Sequence, residues 1–321
     1  MSALKVSIII PIKNYNDYLN ESVEACLNLL YPNFEIIVLP DDCSGSFKHS
    51  DKKQVKIIPT GPMGPSEKRD IGAKKATGEI LAFIDDDAYP VGEWLGVAVR
   101  NFSDPDVAAV GGPGVTPYSD SLLQQVSGAI YDSWMASGAN TYRYRPGKKR
   151  LVDDYPSCNF IVRKSVFDEV GGFDSTYYPG EDTVLCLKIT KKLKKKIVYE
   201  PLALVYHHRR AVFKPHLKQI TNYAKHRGYF VKKFPETSMR LSYFIPSMFV
   251  CGVVFGWLLF LLNILFLYLY CGIIIVYLLC AIINSQKLNS FRGSILTFIG
   301  IVLTNCTYGV FFLKGLCSKK L

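Results

Sequence analysis

Apolar residues fall into short blocks along the first part of the chain and into one long block near its C-terminal end. Val6-Ser7-Ile8-Ile9-Ile10-Pro11 is the kind of run that forms a strand buried on both faces. Residues 16–30 follow, with Leu19, Val23, Cys26, Leu27 and Leu30 at helical spacing. Phe34–Leu39 predicts a second strand ending at Asp41-Asp42, and 55–58 a third. Residues 66–77 read as a helix with Ser66 as N-cap, ended by Gly78. Ile80–Ile84 predicts a fourth strand, running into Asp85-Asp86-Asp87. This alternation implies an α/β, Rossmann-like domain with a mostly parallel sheet covered on both faces. Ligands bind beyond the carboxyl ends of such strands. Two of the strands end in acidic clusters, so these carboxylates are expected along one edge.

The long apolar block has no charged residue from 241 to 286. A span takes about 20 apolar residues, so the block predicts two, near 243–262 and 265–284, with the turn at Asn263 or at Cys271-Gly272. A short loop with Lys287 and Arg292 leads to a third apolar segment, 294–313, and to a tail with Lys314, Lys319 and Lys320. A cytosolic N-terminal domain puts the 287–292 loop inside, as the excess of Lys and Arg requires, but three full spans put the basic tail outside. The last segment is therefore either interfacial or re-entrant, or an exception to that rule. Before the spans, Phe213, Leu217, Ile220, Tyr223, Ala224, Phe230 and Phe234 recur at helical spacing between Lys214, Lys218, Lys225, Lys232 and Lys233. This pattern predicts a basic helix on the membrane surface, the alternative being a helix packed on protein. The expected domains are 1–210, catalytic; 211–240, an interface helix; and 241–321, a transmembrane region.

Composition sharpens this picture. The chain of 321 residues is 49% hydrophobic and 20% charged, too apolar for disorder. Its net charge of +11 is regional. Residues 188–240 hold fifteen Lys and Arg against two Glu, whereas residues 1–187 are net acidic. Charge placed beside a membrane anchor, without a recognisable binding module, argues against nucleic acid as a partner. Nine scattered cysteines form no CxxC pair, which favours a reducing compartment over disulfides or structural zinc. The apolar core of 6–12 is too short for a signal peptide, so the N-terminal part is expected in the cytosol.

The candidate chemistry is carboxylate-based. No GxGxxG follows the first strand and no GxxxxGK[ST] occurs, which argues against a dinucleotide dehydrogenase and a P-loop NTPase. Asp85 and Asp87 fall on one side of a strand end and suit Mg2+ or Mn2+ bridging a diphosphate; an acidic loop with a helix-capping Asp is the plainer alternative. Glu181-Asp182 opens a helix, where the dipole favours carboxylates. His207 or His208 is a candidate third metal ligand, or else a hydrogen-bonded core pair. Arg209 and Arg210 suit a phosphate of donor or acceptor.

The order of these motifs resembles the family 2 glycosyltransferases, inverting enzymes of the GT-A fold. It runs from the Ile-rich strand ending in Pro11, through Asp41-Asp42 and Gly64-Pro65-Ser66-Glu67-Lys68-Arg69-Asp70-Ile71-Gly72, to Gly78 through Asp87 and Trp94-Leu95. Gly171-Gly172-Phe173-Asp174 and Gly180-Glu181-Asp182 complete it. The resemblance covers about residues 4–210. Tyr206-His207-His208-Arg209-Arg210 and the stretch 308–316 are similar to the membrane-bound, succinoglycan-biosynthesis-type branch. The resemblance implies a nucleotide-sugar, expected to be a UDP-sugar, bound by Pro11, Asp41, Asp42, Arg69, Asp85 and Asp86. It implies Asp85 and Asp87 as the DxD pair for ribose and metal, Asp182 as catalytic base, and Glu181 on the acceptor side. Asp70 stands where relatives usually carry Asn. Residues 113–155, with Trp134, are expected to shape the acceptor side. The implied activity is sugar transfer to a lipid-linked glycan at the cytosolic face, in contact with membrane lipids, for cell-surface polysaccharide or glycoconjugate synthesis. The alternatives are a polyprenyl-phosphate acceptor and, in another class, a catalytically idle nucleotide- or lipid-binding scaffold.

Overall fold

The computed structural model describes residues 3–320, which group into two compact units. The first comprises residues up to Val115 together with Arg145–His208; the second comprises Thr116–Tyr144 and residues from Arg209 onward. Residues 116–144 lie inside the 1–210 stretch but pack with the C-terminal helices.

The first unit is built on an eight-stranded sheet. Its strands are β1 (Val6–Pro11), β2 (Phe34–Leu39), β3 (Val55–Ile57), β4 (Ile80–Ile84), β6 (Val107–Gly111), β8 (Arg150–Val152), β9 (Asn159–Arg163) and β10 (Lys196–Tyr199). They lie in the order β3-β2-β1-β4-β9-β6-β10-β8. Three further strands, β5 (Ala88–Pro90), β7 (Gly114–Val115) and β11 (Val205–His207), form a small second sheet in the order β5-β11-β7. All six residues of β1 are buried, as a central strand covered on both faces requires. β1 runs parallel to both β2 and β4, with Ile8 opposite Ile36 on one side and Ala82 on the other. The sheet is mostly parallel on this half, as expected. β9 enters antiparallel between β4 and β6, a feature that apolar runs do not reveal.

The first helix is Asp17–Leu27, capped by Asn16, whose Oδ1 accepts from the Leu19 N–H at 2.8 Å. It buries Leu19, Val23 and Cys26, but Leu30 lies beyond it and is exposed. The next helix is Pro65–Lys75, and its N-cap is Gly64 rather than Ser66. Proline at the first helical position gives up no needed hydrogen bond, so the start moves ahead of Ser66, which is buried inside the first turn. The carboxyl ends of the strands are braced from within. Asn159 Oδ1 accepts from Trp94 Nε1 at 2.9 Å, and its Nδ2 donates to the carbonyls of Gly112 and Ala203 at 2.7 and 2.8 Å.

In the second unit, Lys214–Lys233 is the predicted basic helix. Its buried stripe, including His216, Ile220, Ala224 and Gly228, is covered by the long helix Phe291–Cys317. A Cβ on Gly228 would lie 2.1 Å from the Phe312 carbonyl oxygen, and one on Gly315 2.0 Å from that of Lys225, so glycine permits this approach. His216 bonds Ser127 Oγ at 2.8 Å through Nδ1 and Thr304 Oγ1 at 3.0 Å through Nε2. Burial, and then the charge of Arg209, push its pKa down to about 4, so this link is neutral at physiological pH. Among the described residues, three helices are long and apolar enough to cross a membrane: Leu241–Leu261, Ile264–Ser285 and Phe291–Cys317. Asn263 marks the first turn, its Oδ1 accepting from the Leu265 N–H at 2.9 Å; Cys271-Gly272 lies within a helix.

A Cβ on Gly112 would meet the Ala203 carbonyl oxygen at 1.7 Å, whereas nothing lies within 4 Å of one on Gly96. Gly112→Ala is therefore expected to destabilise the first unit by about 1–3 kcal/mol or more. It should lower the thermal midpoint of the solubilised full chain, while Gly96→Ala leaves that midpoint unchanged or slightly raised.

Candidate active site

The parallel pairing of β1 with β2 and β4 brings Asp41 and Asp85 out at the same edge of the sheet. Pro11 ends β1 there, opposite Leu39 and buried. Lys68, from the helix Pro65–Lys75, is 2% exposed and staples this edge. Its Nζ donates to the carbonyls of Ile12 at 2.6 Å and Leu39 at 3.2 Å and to Asp41 Oδ1 at 2.5 Å. Asp41 is thus held by a buried cation. Asp42 is exposed and accepts from the Ser44 N–H and hydroxyl, which hold its carboxyl below the usual range.

Arg69, one residue on, is 4% exposed. Its guanidinium donates to Asp85 Oδ1 at 2.5 Å and lies 3.6 Å from Glu181 Oε1. Burial alone would lower its pKa, but the charges of Asp85 and Glu181 outweigh that and raise it. Glu181 is buried, and its second oxygen accepts from the Gly180 N–H at 2.9 Å. Asp182 is only partly covered; its Oδ1 accepts from the Thr183 N–H at 2.7 Å, in the first turn of Glu181–Leu187. Thr183 in turn donates to the buried Asp154 at 2.9 Å. The adjacent pair therefore differs in exposure: Glu181 is buried against Arg69, and Asp182 is partly exposed, its charge also acting on Arg69.

The small sheet delivers the third element. β11 pairs antiparallel with β5, putting His207 opposite Ala88, and the ladder continues as the His208 N–H donates to the Asp87 carbonyl at 2.9 Å. Successive side chains then point to opposite faces. His207 Nε2 lies 3.1 Å from Asp87 Oδ1. His208 is directed instead to Glu21 at 2.8 Å and stacks on Tyr18 with ring centroids 4.3 Å apart. Asp85, Asp87 and His207 each offer a ligand atom, all within 4.8 Å of one another and partly exposed. Two carboxylates and one imidazole fit Mn2+ or Mg2+, with coordination positions left for phosphate oxygens. Asp86 points elsewhere, accepting from Asn16 Nδ2 at 2.9 Å; burial and then the charges of Asp87 and Asp85 raise its pKa to about 6.

Arg209 and Arg210 belong to the second unit. The Arg209 Nε donates to Thr116 Oγ1 at 3.3 Å, and the guanidinium lies over the rings of Tyr131 and Tyr144. Arg210 is exposed. Lys68, Glu21 and Asp154 were not singled out from sequence. Lys68 had a signal, since it precedes Arg69 in the same motif; Glu21 and Asp154 had none.

A family model described as "Glycosyl transferase family 2" matches residues 7–171. The pre-mycofactocin glycosyltransferase of Mycobacterium tuberculosis is 26% identical over 79% of the chain. The chain spans about half the length of that relative, 52%. A Methanococcus voltae protein is 23% identical over 97% of both chains; it is named dolichyl N-acetyl-alpha-D-glucosaminyl phosphate 3-beta-D-2,3-diacetamido-2,3-dideoxy-beta-D-glucuronosyltransferase. Among solved structures, a mannosyltransferase from Pyrobaculum calidifontis, in complex with GDP-Man and Mn2+, covers 99% of this chain and 88% of its own. Its TM-score of 0.58 at 17% identity shows a shared GT-A fold.

Asp70 supports the site from behind, accepting from the Phe173 N–H at 3.0 Å; burial raises its pKa to about 6. Between about pH 4 and pH 6 the folded chain keeps a proton that the unfolded chain has released, so stability falls as pH rises through that window. Asp70→Asn keeps the acceptor and removes the charge. Its thermal midpoint should exceed that of the unaltered chain at neutral pH, and the gap should close at about pH 4.

Proposed function

The chain belongs to glycosyl transferase family 2, and on that premise we propose that it is a membrane-anchored, metal-dependent, inverting enzyme. It moves a sugar from a nucleotide-sugar, a UDP-sugar by our reading, to a lipid-linked glycan at the cytosolic face. The observation that carries this reading is the cluster of Asp85, Asp87 and His207, joined through Arg69 to the helix start that bears Asp182. Asp41, Asp42 and Pro11 line the edge where the nucleoside would lie. Asp85, Asp87 and His207 would hold Mn2+ or Mg2+, which when bound supplies positive charge to a leaving diphosphate. Asp182 takes the proton of the attacking acceptor hydroxyl, and displacement in one step inverts the anomeric centre. Glu181 and Arg69 keep the helix start in register with the strand end, and Arg209 and Arg210 suit acceptor phosphate. The name of the Methanococcus relative, which acts on a dolichyl-linked sugar phosphate, supports a lipid-linked sugar over a bare polyprenyl phosphate. The stretch 1–210 carries the transfer site in this reading, and the apolar helices keep the chain at the membrane. The membrane-bound, succinoglycan-type branch fits the 206–210 and 308–316 stretches.

The test is sugar transfer by the purified full chain with UDP-, GDP- and dTDP-sugars, with Mn2+ or Mg2+, and with or without polyprenyl-phosphate and polyprenyl-linked sugar acceptors. Transfer should need the metal, stop with a chelator and require the glycosylated lipid. Asp182→Asn should keep nucleotide binding and lower transfer by roughly 10²–10⁴-fold, the usual worth of a general base. Asp87→Ala and His207→Ala should lose the metal-dependent part of nucleotide binding. Full transfer by Asp182→Asn would refute the base assignment, and nucleotide binding with no turnover of any donor would favour the idle scaffold.

A further inference from the structure

Phe291–Cys317 has the composition of a membrane span, but its packing differs from that of the other two apolar helices. In the most apolar window of Leu241–Leu261 and of Ile264–Ser285, 6% is buried, against 39% in Phe291–Cys317. The first two helices form a hairpin about the turn at Asn263. Phe249 stacks on Tyr277 at 4.0 Å, and the Tyr270 hydroxyl donates to the Val253 carbonyl at 3.2 Å. Residues 241–250 and 277–286 are therefore its open end.

Both ends of Phe291–Cys317 meet that open end. Ser294 Oγ donates to Gln286 Oε1 at 3.4 Å, and Phe312 meets Phe244 with ring centroids 5.0 Å apart. Between them, Asn305 donates to the Tyr277 hydroxyl at 3.0 Å, and Ser247 to the Gly309 carbonyl at 2.9 Å. Ser294 and Phe312 are about 27 Å apart along a helix. A helix crossing the bilayer beside the hairpin would carry one of them to the closed end.

The basic helix gives an independent sign. Lys214–Lys233 runs parallel to the second half of Phe291–Cys317: His216 meets Thr304, Gly228 meets Phe312, and Lys232 Nζ donates to the Ser318 carbonyl at 2.7 Å. Lys214, Lys218, Lys232 and Lys233 are exposed along this helix. Were residues 304–318 in hydrocarbon, these charges would share their depth, at high energetic expense. Between the exposed Phe291 and Cys317 at its ends, the outward residues of this helix make a narrow apolar stripe, Ile295, Ile299, Leu303 and Val310, flanked by the exposed Arg292 and Lys314.

We propose that Phe291–Cys317 lies in the plane of the membrane interface and does not cross it. Its apolar stripe rests at the acyl–headgroup boundary, and Arg292, Lys314, Lys319 and Lys320 meet anionic lipid headgroups. The chain then crosses the bilayer twice, and Lys287 and the basic tail share one side, as the distribution of positive charge requires. The inference rests on reading 241–285 as two spans.

Single reporter cysteines at Lys287, Lys320 and Leu262, in the full chain with its native cysteines replaced, would be exposed to a membrane-impermeant maleimide in sealed vesicles of known orientation. Lys287→Cys and Lys320→Cys should label from one face and Leu262→Cys from the other. Labelling of Lys320→Cys from the face that labels Leu262→Cys overturns the proposal. Labelling of Leu262→Cys and Lys287→Cys from the same face overturns the two-span premise, a separate failure. Should the cysteine-free chain fold poorly, trypsin added to vesicles holding the unaltered chain serves instead. Cleavage after Lys287 and after Lys314 should occur from the same face, and cleavage from opposite faces overturns the proposal.

Discussion

Arg69 brings a permanent charge to a place that water barely reaches, and a guanidinium there must be met by carboxylates. Those carboxylates, Asp85 and Glu181, come from segments almost a hundred residues apart. The ion pairs therefore act as a geometric constraint more than as a source of stability. They set where the strand β4 ends relative to the start of Glu181–Leu187. Because one oxygen of Asp85 is held by Arg69, its carboxylate is oriented before any ligand arrives. Glu181 is buried against Arg69, and its neighbour Asp182 is the more exposed member of the pair. Removing Arg69 would leave the buried Glu181 without its cation, and removing either acid would take from a buried cation one of the carboxylates that face it.

A second constraint works through backbone pairing. His207 reaches Asp87 because β11 docks antiparallel on β5, the strand that directly follows the acidic cluster. The alternation of side chains along a strand then separates the two histidines, one toward the carboxylates and one toward Glu21 and Tyr18. Lys68 plays a similar part on the other flank, tying the ends of β1 and β2 to Asp41. Arg69, His207 and Lys68 thus arrange the acidic edge, and each is supplied by an element other than the strand it braces.

These two routes explain what could be read along the chain. The strands β1, β2 and β4, their parallel order and the clustering of Asp41 with Asp85 follow from local apolar runs, because buried parallel strands have a local signature. The choice between His207 and His208 does not, because it depends on pairing between residues 88–90 and 205–207. The antiparallel entry of β9 and the grouping of residues 116–144 with the C-terminal helices have the same character. The N-cap at Gly64 is a different kind of miss. The Gly-Pro pair was in view, but Ser66 carries the more familiar capping side chain, and proline's preference for the first helical position decided the outcome.

The last apolar helix shows why hydropathy alone assigns spans ambiguously. Among its residues, Gly293, Thr297, Gly300, Thr304, Gly309 and Gly315 are buried, and small side chains of this kind let helices approach closely in water or in lipid. A window average sees only their mild hydropathy and the apolar residues between them. It cannot tell a helix surrounded by lipid from one whose back is covered by protein. What distinguishes them is the company each helix keeps. The hairpin helices are almost bare, whereas Phe291–Cys317 is backed by Lys214–Lys233, and a helix that carries exposed lysines limits how deeply its neighbour can sink.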